Sequence, residues 1–122
     1  MNKEEYFIKQ FSNSKFIGDD GAVIDGYVYS MDAFFENVHF KKEWMTLKQI
    51  AYKSMIVNIS DAIVMNAVPK YALLSVAIPK SYTNDDLKNL SMIFPLHYAT
   101  VLDNYVGTPI VYFAVVCVRF FI

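Results

Sequence analysis

Four aspartates in three unlike settings are the residues of this chain best suited to chemistry. Asp19 and Asp20 lie in Ile17-Gly18-Asp19-Asp20-Gly21, Asp32 in Ser30-Met31-Asp32-Ala33, and Asp61 in Val57-Asn58-Ile59-Ser60-Asp61. The first pair occupies a glycine-flanked turn. Asp32 falls within an aromatic, strand-like run, and Asp61 interrupts an otherwise apolar helical stretch. Carboxylates set where folding alone would not choose them suggest a shared positive charge to neutralise. Magnesium takes hard oxygen ligands and commonly joins carboxylates to substrate phosphates, so a magnesium–nucleotide site is the sharpest candidate.

Each acid also has a plain structural explanation. Asp19 and Asp20 can sit in a solvated turn, one of them bonded to local backbone amides. Asp32 can mark a strand end facing water, because burying a lone carboxylate costs several kcal/mol. Asp61 can pair with a lysine elsewhere or mark the one wet edge of its helix. Asn58 and Asp61 are three residues apart and therefore neighbours on one helical face. Lys53 precedes Asp61 by two turns on a similar face. His39, in Glu36-Asn37-Val38-His39-Phe40, is suited to contact a substrate or move a proton, although a lone histidine is more often a surface or core residue. His97 and Cys117 have no partner at suggestive spacing. There is no phosphate-binding Walker loop, nucleophile elbow, H-E-x-x-H pattern or kinase signature set.

The elements that must position these residues are legible in outline. Residues 2–11 form a short amphipathic helix carrying Tyr6, Phe7 and Phe11. Residues 23–35 hold one or two strands, with the hairpin signal Asp25-Gly26 between them. Alternation puts Asp32 on the same face as Ser30. Residues 46–66 are the strongest helix, with Thr46 as cap, Gln49 completing a capping box and Pro69 beyond the end. Its apolar residues run nearly all round, so it is expected to be largely buried. Residues 71–78 read as a strand between Pro69 and Pro79, and Asn84-Asp85-Asp86 opens another helix. This alternation indicates a mixed α/β (α+β) domain.

Composition narrows the function classes. The 122 residues hold 11 basic and 12 acidic side chains, a net charge of −1 that gives no electrostatic case for binding nucleic acid. The single cysteine excludes an internal disulfide framework and fits a reducing, cytoplasmic setting. Lys3, Glu4, Glu5 and Lys9 interrupt any signal-peptide core, and Pro109, Gly107 and Arg119 argue against a membrane span in residues 105–122. Charge thins abruptly after Ser91, beyond which only Asp103 and Arg119 remain. The apolar segment 110–122 is either a buried strand or a segment outside its natural context.

Several segments together resemble thiamine-monophosphate kinases. Ile17-Gly18-Asp19-Asp20-Gly21-Ala22-Val23 resembles their glycine–diaspartate opening. Ser30-Met31-Asp32-Ala33-Phe34-Phe35-Glu36-Asn37-Val38-His39-Phe40 is similar to a second motif near S-T-D-x-L-V-E-G-V-H-F. The stretch from Ala51 to Pro69, which contains Asn58-Ile59-Ser60-Asp61 and Met65-Asn66-Ala67, is similar to a third, near K-x-L-A-V-N-L-S-D-x-A-A-M-G-A-x-P. The order and spacing of the three motifs agree across residues 17–80. The resemblance implies the N-terminal ATP-binding domain of a superfamily that includes aminoimidazole ribonucleotide synthetase and selenophosphate synthetase. It further implies transfer of phosphate from ATP to thiamine monophosphate, several Mg²⁺ ions, and sheets that pair across a homodimer. By motif match, Asp20, Ser30, Met31, Asp32 and Asp61 are the implied metal ligands, Met31 through its backbone carbonyl. His39 is the implied substrate contact. Asn37 stands where the family usually has glycine.

The resemblance ends near residue 91. Family members continue into a Gly-Gly-Asp-Thr motif and a C-terminal domain, whereas this chain has Val106-Gly107-Thr108-Pro109 in roughly that region. The expectation is a family-like N-terminal domain over residues 1–91. Residues 92–122 are expected to be a divergent apolar tail, from a shifted reading frame or truncation, leaving a fragment with little activity of its own. The competing readings are a non-catalytic dimerising module and a related ATP-dependent synthetase of the same superfamily.

Overall fold

Asp25 and Gly26 form a two-residue turn between β1 (Ala22–Ile24) and β2 (Tyr27–Phe35), with φ of 51° and 78°. Two successive positive φ values give the turn that follows the natural twist of paired strands. The computed structural model describes residues 2–11, 20–91, 98–105 and 111–120. Within these, α1 spans Lys3–Ile8, α2 Leu47–Val64, β3 Ala67–Pro79, α3 Asn84–Ser91, β4 Tyr98–Tyr105 and β5 Val111–Phe120. The five strands form one sheet in the order β1-β2-β5-β3-β4. Only β3 and β4 run parallel; the other neighbours are antiparallel. The apolar segment beyond residue 92 supplies β4 and, between β2 and β3, the central strand β5.

The expected capping box opens α2. The Thr46 hydroxyl accepts from the Gln49 amide at 3.3 Å, and the Gln49 side chain accepts from the Thr46 amide at 2.8 Å. These bonds satisfy two groups that the first turn would otherwise leave unpaired. Asn66 closes the helix with φ of 55°, and Asn37 adopts φ of 63° in the loop after β2. Both stand where the kinase motifs carry glycine. Asparagine is among the few residues that tolerate this left-handed region, so the local backbone path survives both replacements.

One face of the sheet packs on α2. Along β2, Val28, Ser30 and Phe34 are buried, with Asp32 partly so, while Met31 on the opposite face is exposed. On α2 the buried residues are Ile50, Ala51, Ser54, Met55, Asn58 and Ala62. The rows Ile50-Ser54-Asn58-Ala62 and Ala51-Met55 follow four-residue spacing, which makes a narrow contact stripe. The helix is therefore less buried than its composition predicts: Tyr52, Ile56, Ile63 and Val64 are exposed on its outer side. Two apolar clusters flank the contact. One gathers Phe34, Phe40, Ile50, Ala51, Leu74, Val76 and Leu90; the other joins Val28, Ala62 and Ala67. Among the described residues no helix is long and apolar enough to cross a membrane.

Candidate metal–nucleotide site

Between the two apolar clusters the β2–α2 contact turns polar. β2 passes from Val28 through Ser30 and Asp32 to Phe34, while α2 runs oppositely from Ile50 and Ala51 through Ser54 and Asn58 to Ala62. Asn58, fully buried, ties the elements together. Its Oδ1 accepts from the Asp32 amide at 2.8 Å, and its Nδ2 donates to the Ser54 carbonyl at 2.8 Å. Its own carbonyl lies 3.4 Å from the donating Ser30 hydroxyl. A buried amide with both ends engaged fixes the register of strand on helix, because an unpaired buried polar group is costly.

That register sets Asp32 beside Asp61, one turn beyond Asn58 on α2. The two carboxyl groups are within hydrogen-bonding reach, and the Asp61 carboxyl is held above the ordinary carboxylate range. Desolvation is the largest cause, followed by repulsion from Asp32 and then from Asp20. Lys53, expected near Asp61, lies on the exposed outer side of α2 instead. Among the described residues no ion pair joins a lysine or arginine to Asp20, Asp32 or Asp61. Two carboxyl groups held this close without a cationic side chain between them are a donor set suited to a hard divalent ion.

The remaining implied residues occupy different places. Asp20 is exposed just before β1, near enough to act electrostatically on Asp61. Gly21 explains how the turn approaches so closely, since a Cβ there would lie 2.8 Å from the Tyr29 carbonyl oxygen. Asp19 and Gly18 fall outside the described residues. The Met31 side chain is on the opposite sheet face from Ser30 and Asp32, which leaves only its backbone carbonyl as a candidate for the same site. Among the described residues, no three carboxylate, imidazole or thiolate groups converge tightly enough to hold a metal unaided. A cation here would complete its shell with hydroxyl, carbonyl, water or phosphate oxygens, as magnesium usually does.

His39 lies at the other end of β2. Its Nδ1 accepts from the Phe35 amide at 2.9 Å, and its ring stacks on Phe34 and Phe35 at 5.7 and 5.8 Å. This bond assigns the proton of neutral imidazole to Nε2, which leaves a donor for an exposed acceptor. Asn58 is the functional residue whose weight sequence reading understated. It was visible as a neighbour of Asp61, but its bond to the Asp32 amide depends on strand–helix register that spacing along the chain does not carry.

Comparison with known proteins places this geometry in context. Residues 18–94 match the family model described as AIR synthase related protein, N-terminal domain. The thiamine-monophosphate kinase of Bacillus subtilis (strain 168) is 36% identical over 77 residues, covering 59% of this chain and 24% of the relative. The chain thus spans about a quarter of that relative's length. Among solved structures, AaThiL complexed with AMPPCP and TMP superposes with a TM-score of 0.82 at 21% identity, over 98% of this chain and 44% of that one. The thiamine monophosphate kinase of Aquifex aeolicus gives 0.78 at 21% identity, over the same shares. These structural likenesses establish a shared fold.

Proposed function

This chain belongs to the AIR synthase related protein family through its N-terminal domain, and we propose that it forms the metal- and nucleotide-binding part of an ATP-dependent thiamine-monophosphate kinase. The observation that carries this reading is the meeting of Asp32 and Asp61 across the β2–α2 contact, without a neighbouring lysine or arginine among the described residues. In this reading Asp20, Ser30, Asp32, Asp61 and the Met31 carbonyl hold magnesium, and His39 contacts thiamine monophosphate. Bound magnesium would supply charge neutralisation between two polyanions, the main electrostatic demand of phosphoryl transfer. The chain's own task is positioning: Asn58 sets the two carboxylates, Gly21 lets the Asp20 turn approach, and His39 offers a fixed Nε2 donor.

Catalysis in this reading is cytoplasmic and requires the further length that the relatives possess. The family-like part ends near residue 91, supported by the end of the family match at residue 94 and the loss of charge after Ser91, and β4 and β5 beyond it complete its sheet. A homodimer forms through the sheet face opposite α2, which exposes Met31 and Tyr71. The test is thiamine diphosphate formation from Mg–ATP and thiamine monophosphate, assayed on the 122-residue chain and on a version extended to the relatives' length. Product from the extended protein alone is expected. No product from either, or undiminished rates after Asp32→Asn and Asp61→Asn, would overturn the proposal.

A further inference from the structure

The outer side of α2 carries a second recess, unrelated to the aspartates. It has a volume of about 480 Å³ and is lined by Trp44, Met45, Lys48, Tyr52, Lys53 and Ile56, among others. That volume is in the range of small-molecule pockets, though the recess is shallow and open to solvent. Helical spacing builds it: Lys48, Tyr52 and Ile56 stand four residues apart in one row, and Gln49 and Lys53 form the adjoining one. The short 3-10 helix Lys42–Trp44 brings the indole to the edge. Trp44 is 70% exposed and Tyr52 58% exposed, so two aromatic faces are available to a ligand.

The charged side chains that line this recess are both basic, Lys48 and Lys53, and no acidic side chain is among its lining. Lys41 Nζ lies 5.4 Å from the centre of the Trp44 ring. Among the described residues neither Lys48 nor Lys53 takes part in an ion pair. Aromatic faces beside unpaired ammonium groups match a ligand that is itself planar and anionic, through stacking and charge together. We infer that this recess binds a small planar aromatic molecule bearing a phosphate or carboxylate. The site is separate from the aspartates: Tyr52 and Asp61 are nine residues apart, about 13 Å along the helix axis, and Tyr52 faces away from the sheet.

Trp44 is the only tryptophan of the chain, so its emission reports on this site directly. The probe is adenosine monophosphate, titrated into the protein in EDTA, with adenosine and inorganic phosphate as half-ligands. Saturable quenching by the monophosphate is expected, with each half-ligand weaker by about tenfold or more, the factor that corresponds to losing one modest interaction. Lys48→Glu with Lys53→Glu should weaken the monophosphate by at least about tenfold while leaving the fold intact, since both side chains are exposed. Calorimetry on Trp44→Leu should show the same loss. No quenching, equal affinity for adenosine, or indifference to the lysine reversals would overturn the inference. Quenching that requires magnesium and vanishes in Asp61→Asn would assign the nucleotide to the aspartate site instead, and would equally overturn it.

Discussion

At the scale of single residues, Asp61 records the tension that a cation would relieve. Its carboxyl is held above the ordinary value of 3.8 by burial first and by Asp32 and Asp20 next. The ionised side chain is therefore the penalised form in the folded chain. The penalty is absent below the ordinary carboxylate range and complete above the raised value, so stability falls as pH rises between them. Asp61→Asn should remove that slope and leave the metal-free variant more stable than its parent at neutral pH. Denaturant midpoints over a pH series check this, and an unchanged slope contradicts it. Asn58 makes the opposite prediction. Asn58→Ala strands the Asp32 amide in a partly buried place, at a cost of about 1–3 kcal/mol, while the Ser54 carbonyl keeps its helical bond. Asn58→Asp should be worse at neutral pH, because it adds negative charge beside Asp32 and Asp61. Equal stability of parent and both variants would contradict the clamp.

At the scale of elements, the outline was largely legible. The Thr46–Gln49 capping box, the Asp25-Gly26 hairpin and the strand–helix alternation are local signals, set by residues adjacent in sequence. The burial of α2 was not legible, because Tyr52, Ile56, Ile63 and Val64 make its composition apolar all round while only one stripe meets the sheet. The loop from Phe35 to Phe40 shows how a departure from a motif can keep its geometry. Asn37 holds φ of 63°, and its amide donates to the Phe40 carbonyl at 2.7 Å. Asn37→Gly should therefore be close to neutral, whereas Asn37→Val should cost about 1–2 kcal/mol, the penalty of a left-handed backbone for a branched side chain. Thermal unfolding of the two variants separates these outcomes; a tolerated valine would contradict the assigned backbone conformation.

At the scale of the whole molecule, the sheet has one face covered by α2 and another that presents Met31 and Tyr71. An exposed apolar sheet face of this kind favours association. Met31→Lys should shift the protein toward monomer on size exclusion without changing the helix-side core. An unchanged elution volume for parent and variant would contradict association through this face. The aspartate site itself was legible only as a set of separate acids and their flanking motifs. Spacing put Ser30 and Asp32 on one strand face and Asn58 with Asp61 on one helix face. That these two faces meet, through the Asn58–Asp32 bond, is a property of the tertiary register and needs the folded chain to be seen. His39 was likewise visible as a candidate, while the assignment of its proton to Nε2 required the Phe35 amide.

The central claim is that Asp32 and Asp61 together hold the metal that binds nucleotide. Calorimetric titration of the protein with ATP, with and without magnesium, in the parent, Asp32→Asn and Asp61→Asn tests it most directly. The account predicts saturable binding at the aspartate site that requires magnesium and is lost in both variants. Absence of a magnesium-dependent component in the parent, or its survival in both variants, would contradict the account.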